Sequence, residues 1–339
     1  MKNKLIIAII SFVVISVQVY AQTYVSDVSK KGTTAAPFLS IGQGARAAAM
    51  GSAYVSVADD PSALYWNPAG LTKTQGASAI FDHTQWFADV SYNFVGLSYN
   101  TGDYGAFGIS FTSSSMGDMN VTTIAEPEGT GEVFKATDVA LSVSYALALT
   151  DNFSIGISPK FVSQSIWRMN ATAFAVDMGV QYRTPFDGAI LSMDISNFGG
   201  KMKMDGNTAL TLIKVGENDK VPAYYQTEEW ALPLNFRVGL AYQPIRTDMH
   251  KLTVAVDAQH PNDNYESINV GGEYVFNDFL AIRGGYKDMF LKDPLFGFTA
   301  GFGLKQLVMG NVSIKVDYAY EQLTHMGSVQ KFTLGINLQ

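Results

Sequence analysis

Large apolar residues recur at every second position through most of this chain. From Val139 to Leu149 the odd positions are Val139, Leu141, Val143, Tyr145, Leu147 and Leu149, and the even ones are Ala140, Ser142, Ser144, Ala146 and Ala148. A helix would mix these two sets on every face, whereas a strand puts the large residues on one side and the small ones on the other. The alternation returns in Phe174, Val176, Met178, Val180 and Tyr182, in Leu252, Val254 and Val256, and in Val312, Ile314, Val316, Tyr318 and Tyr320. It closes the chain in Phe332, Leu334, Ile336 and Leu338. Turn signals divide the sequence into roughly fourteen strands of about 8–11 residues, near the length a tilted strand needs to cross a bilayer. Their expected spans are 77–84, 90–100, 104–112, 138–149, 152–164, 172–183, 188–197, 234–243, 251–259, 265–276, 279–288, 295–304, 311–320 and 329–338.

The face opposite the large residues decides the architecture. In a soluble sandwich the outer face would be rich in charge; here the alternate residues are mostly small and sparsely charged, as in a partly filled barrel lumen. Composition agrees: 47% of residues are hydrophobic and 16% charged, against about 25% charged in soluble domains. Past residue 21 no apolar run reaches about 18 residues, so a helical membrane bundle is excluded. The expectation is an all-β, closed antiparallel transmembrane β-barrel of about 14 strands, spanning residues 77–339 and surrounded by outer-membrane lipid.

Turn chemistry orients it. Thr101-Gly102-Asp103, Thr150-Asp151, Pro185-Phe186-Asp187 and Asn277-Asp278 are compact turns, while Ser113 to Thr137 and Phe198 to Pro233 are long links. Short turns on one side and long loops on the other correspond to periplasm and exterior. Tyr99, Tyr182, Tyr242, Tyr274 and Phe276 fall just before short turns and predict an aromatic girdle at one rim.

The first residues change the picture again. Lys2 and Lys4, the apolar run Leu5 to Val17 and Val19-Tyr20-Ala21 predict a secretory signal over residues 1–21, cleaved before Gln22. Removing the two signal lysines takes the formal charge from −7 to −9, which argues against nucleic acid as a partner. The chain has no cysteine, which excludes disulfides, thiolate metal sites and a lipid-modified N-terminal cysteine.

Residues 22–76 do not alternate. Gly42, Gly44, Arg46, Met50 and Gly51 lie in a Gly- and Ala-rich run whose small residues predict close backbone packing. Asp59, Asp60 and Pro61 follow; Asp60-Pro61 reads as an N-cap with proline in the first turn, and Asn67-Pro68 as the end of a short helix. Gly42-x-Gly44-x-x-Ala47 mimics a dinucleotide fingerprint but lacks the parallel strand and crossover helix that give it meaning.

The stretch Ser40 to Leu71, with G-A-R-A-x-A-M-G, V-A-D-D-P and W-N-P-A-G-L in order, resembles the N-terminal region of the PorV/PorQ family. Those proteins are relatives of the FadL-type transporters, which share the Asn67-Pro68-Ala69 triplet. The resemblance implies that residues 22–76, including Ala69 and Gly70, plug or line the lumen through short helical turns. It also implies two functions. One is an accessory or docking role in type IX-like protein secretion to the cell surface, with secretion-machinery or exported proteins as partners. The alternative is FadL-like transport of a hydrophobic small-molecule ligand such as a fatty acid or hydrocarbon. The chain departs from the pattern by ending in Leu338-Gln339 rather than an aromatic residue.

No catalytic constellation emerges. His83, His250, His260 and His325 lie at strand ends, turns or loops and are not spaced to share a metal, so no enzyme, cofactor or metal site is expected. The charges expected in the lumen are Asp177, Arg183, Asp194, Arg237, Asp257, Arg283, Lys315 and Asp317. They either hold the plug, with Arg46 as a candidate partner for one acid, or pair with one another across strands, as buried charges must. The apolar residues of the Phe198–Pro233 link, Tyr224, Tyr225 and Trp230 among them, suit either partner contact or folding onto the rim.

Overall fold

A computed structural model describes residues 29–186, 188–215 and 220–338; the expected signal segment lies outside them. Among these residues no helix is long and apolar enough to cross a membrane. The alternating segments form fourteen strands. In chain order they are β1 (Ala77–Gln85), β2 (Ser91–Asn100), β3 (Ala106–Ser115), β4 (Ala136–Thr150), β5 (Phe153–Ile166), β6 (Met169–Arg183) and β7 (Ile190–Gly199). The second half comprises β8 (Asn235–Arg246), β9 (His250–Pro261), β10 (Ser267–Phe276), β11 (Leu280–Met289), β12 (Phe296–Met309), β13 (Val312–Leu323) and β14 (Gly327–Leu338). Each pairs antiparallel with its sequence neighbours, and β14 returns to β1 with Phe81 opposite Leu334. The sheet is therefore a closed barrel with no free edge, the arrangement that satisfies every backbone group where water is absent.

Side-chain direction follows the period. Leu141, Val143 and Tyr145 are exposed on the outside, while Ala140, Ser142, Ser144 and Ala146 are buried inside. Apolar surface that water would penalise is turned outward, so lipid is the solvent of that face. All fourteen expected segments are strands, with ends that differ by a few residues. The largest extension is in β12, which continues past Lys305-Gln306 because its ladder with β13 persists through a bulge to Met309.

Six connections on one side of the barrel are short, from two residues at Asp151-Asn152 to six at 184–189. Asn277 and Asp278 both adopt positive φ, 52° and 53°, the conformation of a tight hairpin turn. The opposite side carries the links 116–135 and 200–234, but also the two-residue turn Trp167-Arg168. Long loops are thus confined to one side without being universal there. Tyr99, Tyr182, Tyr242 and Phe276 are exposed at the short-turn rim, and the half-buried Tyr274 meets His250 through its hydroxyl at 2.7 Å.

Residues 36–74 lie against the inward-facing side chains. They contain two short α-helices, α1 (Ala45–Ala49) and α2 (Ala63–Trp66), and 3-10 turns at Pro37–Ser40 and Pro68–Lys73. The turn expected at Asp60-Pro61 opens there, with Asp60 accepting from the Ser62 backbone N–H at 3.0 Å. Regular α-helical residues start only at Ala63. Asn67 ends α2 in extended conformation, φ −167°, and caps the next turn by accepting from the Ala69 N–H at 3.1 Å.

Candidate functional site

The inner wall holds the N-terminal segment by two devices. The first is small residues. A Cβ on Gly271 or Gly285 would strike the Met50 backbone, and one on Gly301 would reach the Ala49 Cβ at 2.6 Å. Gly271 and Gly285 are direct cross-strand partners, and Gly301 pairs with the buried Ala319. The Ala-rich α1 and the Met50-Gly51 turn therefore sit on a groove that no larger residue would leave open. At Gly51 itself φ is +62° and a Cβ would meet the Tyr286 N at 2.7 Å. Gly156 and Gly179, also cross-strand partners, seat Asn67-Pro68-Ala69 in the same way.

The second device is polar side chains aimed at the segment's backbone. Asp82 accepts from the Gly44 N–H at 3.0 Å, and Thr333 accepts from Ala45 at 2.7 Å, so the wall caps the start of α1. Asp257 accepts from the backbone of both Tyr54 and Val55, at 2.6 and 2.9 Å. Thr299 donates to Ala49 O, Gln181 to Val55 O and Lys331 to Gly42 O. Asn67 donates to Val180 O of the wall and to Val55 O of its own segment. Burying these backbone groups unpaired would cost about 1–3 kcal/mol each.

An ion network joins segment and wall. Arg46 forks onto Glu273 at 2.8 and 2.9 Å and reaches Asp59 at 2.5 Å and Asp60 at 3.3 Å. Arg283 links Glu273 at 2.6 Å to Asp317 at 2.7 Å, and Lys315 links Asp317 to Asp60. Burial opposes charge on Arg46, but Asp59 and Glu273 outweigh it and hold its pKa well above the ordinary value. Burial likewise opposes the Asp60 carboxylate, and Lys315 and Arg46 hold it well below its usual range. These residues floor a cavity of about 700 Å³ on the short-turn side.

On the loop side an apolar cluster packs inside the barrel, beside the wall charges Lys287, Glu321 and Lys331, which pair with one another. Phe38 and Leu39 pack with Met202 and Leu232 against Ala140, Val162, Ala171, Ala173 and Ala175 of the wall. The recess between Leu39, Leu64, Tyr65 and the wall measures about 10 Å³, room for about one water molecule.

This order of elements, a segment on the inner wall followed by fourteen sequential strands, can be set beside known proteins. The family described as type IX secretion system protein PorV matches residues 25–260, well over half of the chain. The chain belongs to the PorV family. Solved structures similar to this PorV-family barrel include a Pseudomonas aeruginosa FadL homologue, 12% identical over 88% of this chain and 98% of that one, with a TM-score of 0.53. The Ralstonia pickettii toluene transporter TbuX is 13% identical over 88% and 99% of the two chains, with a TM-score of 0.56. The Pseudomonas putida toluene transporter TodX is 14% identical over 87% and 97%, with a TM-score of 0.54. Identities this low concern the fold alone, that of a FadL-like barrel. A glycerol kinase of Clostridium botulinum (strain Alaska E43 / Type E3) is 30% identical over 115 residues, 34% of this chain. The chain spans about a fifth of that protein, 21%, and the match carries no statement about activity.

Within the PorV-family barrel the eight charges expected in the lumen all occupy inward positions, yet they do not form one cluster. Arg283, Lys315 and Asp317 join the Arg46 network. Asp194 pairs with Arg237 at 2.6 Å, and the guanidinium of Arg237 lies over the Tyr65 and Trp66 rings. Asp177 pairs with Lys160 at 2.7 Å, and Asp257 binds backbone. Arg183 stands apart, exposed at the short-turn mouth. Glu273, Lys160, Asp82 and Lys331 were missed although each has inward parity in its strand. Arg246 was hidden more thoroughly: a bulge between Tyr242 and Ile245, at Pro244, shifts the register so that Arg246 pairs with Lys251 and lines the cavity. Proline is tolerated in a sheet at such bulges.

Proposed function

We propose that the protein is a docking component of protein secretion to the cell surface, with its lumen closed by its own N-terminal segment acting as a plug. In this reading the short turns face the periplasm, the loops face outward, and residues 1–21 are removed on export. One observation carries it: the loop-side interior, where a hydrophobic solute would have to enter, is occupied by Phe38, Leu39, Met202 and Leu232 and leaves no ligand-sized space beside Leu39 and Tyr65. The outer surface offers contacts instead. The base of the 200–234 link folds onto the rim through the strand pair Lys201–Lys203 and Glu229–Ala231, and a hairpin of Leu210–Lys214 and Lys220–Tyr224 carries exposed apolar side chains above it. Tyr224 and Tyr225 are 65% and 70% exposed, a composition suited to a protein partner. Family membership supports the same pathway.

The test is purification from membranes with identification of what accompanies the protein. A protein partner lost on deleting the hairpin, with melting unchanged, is the expected result; recovery of only a tightly bound acyl chain or hydrocarbon overturns the docking reading in favour of transport. A second arm addresses the plug: Arg46→Ala is expected to raise leakage of small solutes through reconstituted barrels. Unchanged leakage and unchanged melting would remove Arg46 from its proposed role.

A further inference from the structure

A recess of about 180 Å³ opens off the short-turn cavity, between the end of the N-terminal segment and the ends of β6 and β8. Three cations converge on it. Lys73 is the last residue of the 3-10 turn Pro68–Lys73, Arg183 is the last residue of β6, and Arg246 is brought inward by the bulge at Pro244. Arg46 and Asp59 also line the recess, but they are paired with each other. Among the described residues Lys73, Arg183 and Arg246 make no ion pair, although the chain as a whole is acidic. Three like charges around one small space repel one another, a cost that an anion in that space removes.

We propose that this recess binds a phosphate group, held by Arg183, Arg246 and Lys73. Three cations outside any ion pair match a multivalent oxyanion better than a single carboxylate, and two guanidinium forks match phosphate oxygens in pairs. The group can arrive as the free ion or on a larger headgroup, since the recess opens into the wider cavity.

Titration calorimetry of the full-length mature protein in maltoside detergent at low ionic strength tests this, with inorganic phosphate as the probe and chloride-matched buffer as reference. Saturable phosphate binding is expected, weakened about tenfold or more in the Arg183→Gln/Arg246→Gln double variant. Arg183→Lys keeps the charge but loses the fork, and is expected to weaken binding while folding normally. Lys251→Gln/Lys305→Gln changes cations of the wider cavity outside the recess and is expected to bind as the parent does. Glycerol 3-phosphate binding as tightly as phosphate assigns the site to a headgroup phosphate, and its exclusion assigns it to the free ion. Phosphate heats no different from chloride, or unchanged binding in the double variant, would overturn the proposal.

Discussion

The two ends of this barrel's interior seat the N-terminal segment with different chemistry. On the short-turn side the N-terminal segment meets the wall through guanidinium, ammonium and carboxylate groups around a cavity of about 700 Å³. On the loop side the segment's Phe38 and Leu39 pack with Met202 and Leu232 as hydrocarbon, and the charges there, Lys287, Glu321 and Lys331, pair within the wall. The difference teaches what each contact specifies. Apolar packing contributes through area removed from water and tolerates exchange among shapes of similar volume. The charged contacts fix one register of segment against wall, because a shifted Arg46 would leave Glu273 and Asp60 short of a partner in a buried place.

That contrast can be broken most severely from the charged side. Arg283→Met leaves Glu273 and Asp317 with one cation fewer and is expected to destabilise the barrel by about 3–5 kcal/mol, read as a lower midpoint in denaturant. A change below 1 kcal/mol would mean that the network is hydrated rather than buried. On the apolar side Phe38→Ala is expected to cost about 3 kcal/mol and to create volume beside Leu39, measurable as new uptake of a toluene-sized solute. Loss of stability without uptake would show the loop side collapsing around the gap.

The smallest effect separates the ends by pH. Burial lowers the Lys73 ammonium to about 8, with Asp59 opposing and Arg183 adding to the shift. Between about 8 and the ordinary lysine value the folded chain therefore binds fewer protons than the unfolded one, so stability rises with pH across that window. The gain is roughly 1 kcal/mol once solvent screening is allowed for. Melting temperatures of the protein and of Lys73→Met at pH 7.5 and 9.5 should differ in this rise, and an equal rise in both would exclude Lys73 as its source.

The wall was legible because period two is a local property. Val139 to Leu149 states both faces of β4 without reference to any other strand, and the same holds for the closing segment Phe332 to Leu338. The same parity places Asp177, Asp194, Arg237, Asp257, Arg283, Lys315 and Asp317 on the inward face of their strands. Partners were not legible. Arg46 meets Glu273 across 227 positions of sequence, and nothing near either residue specifies the other.

What the sequence determined by itself was therefore the fourteen alternating segments, the face each side chain takes and the small-residue character of residues 42–51, because each depends on neighbours one to four positions apart, whereas closure needed β14 to meet β1. Only the tertiary structure decided which glycines seat Met50 and Asn67, which acid receives Arg46, and that the bulge at Pro244 turns Arg246 into the lumen. Those outcomes depend on distances between residues far apart in the chain. A single inserted residue that reverses side-chain parity becomes visible only against the strand beside it.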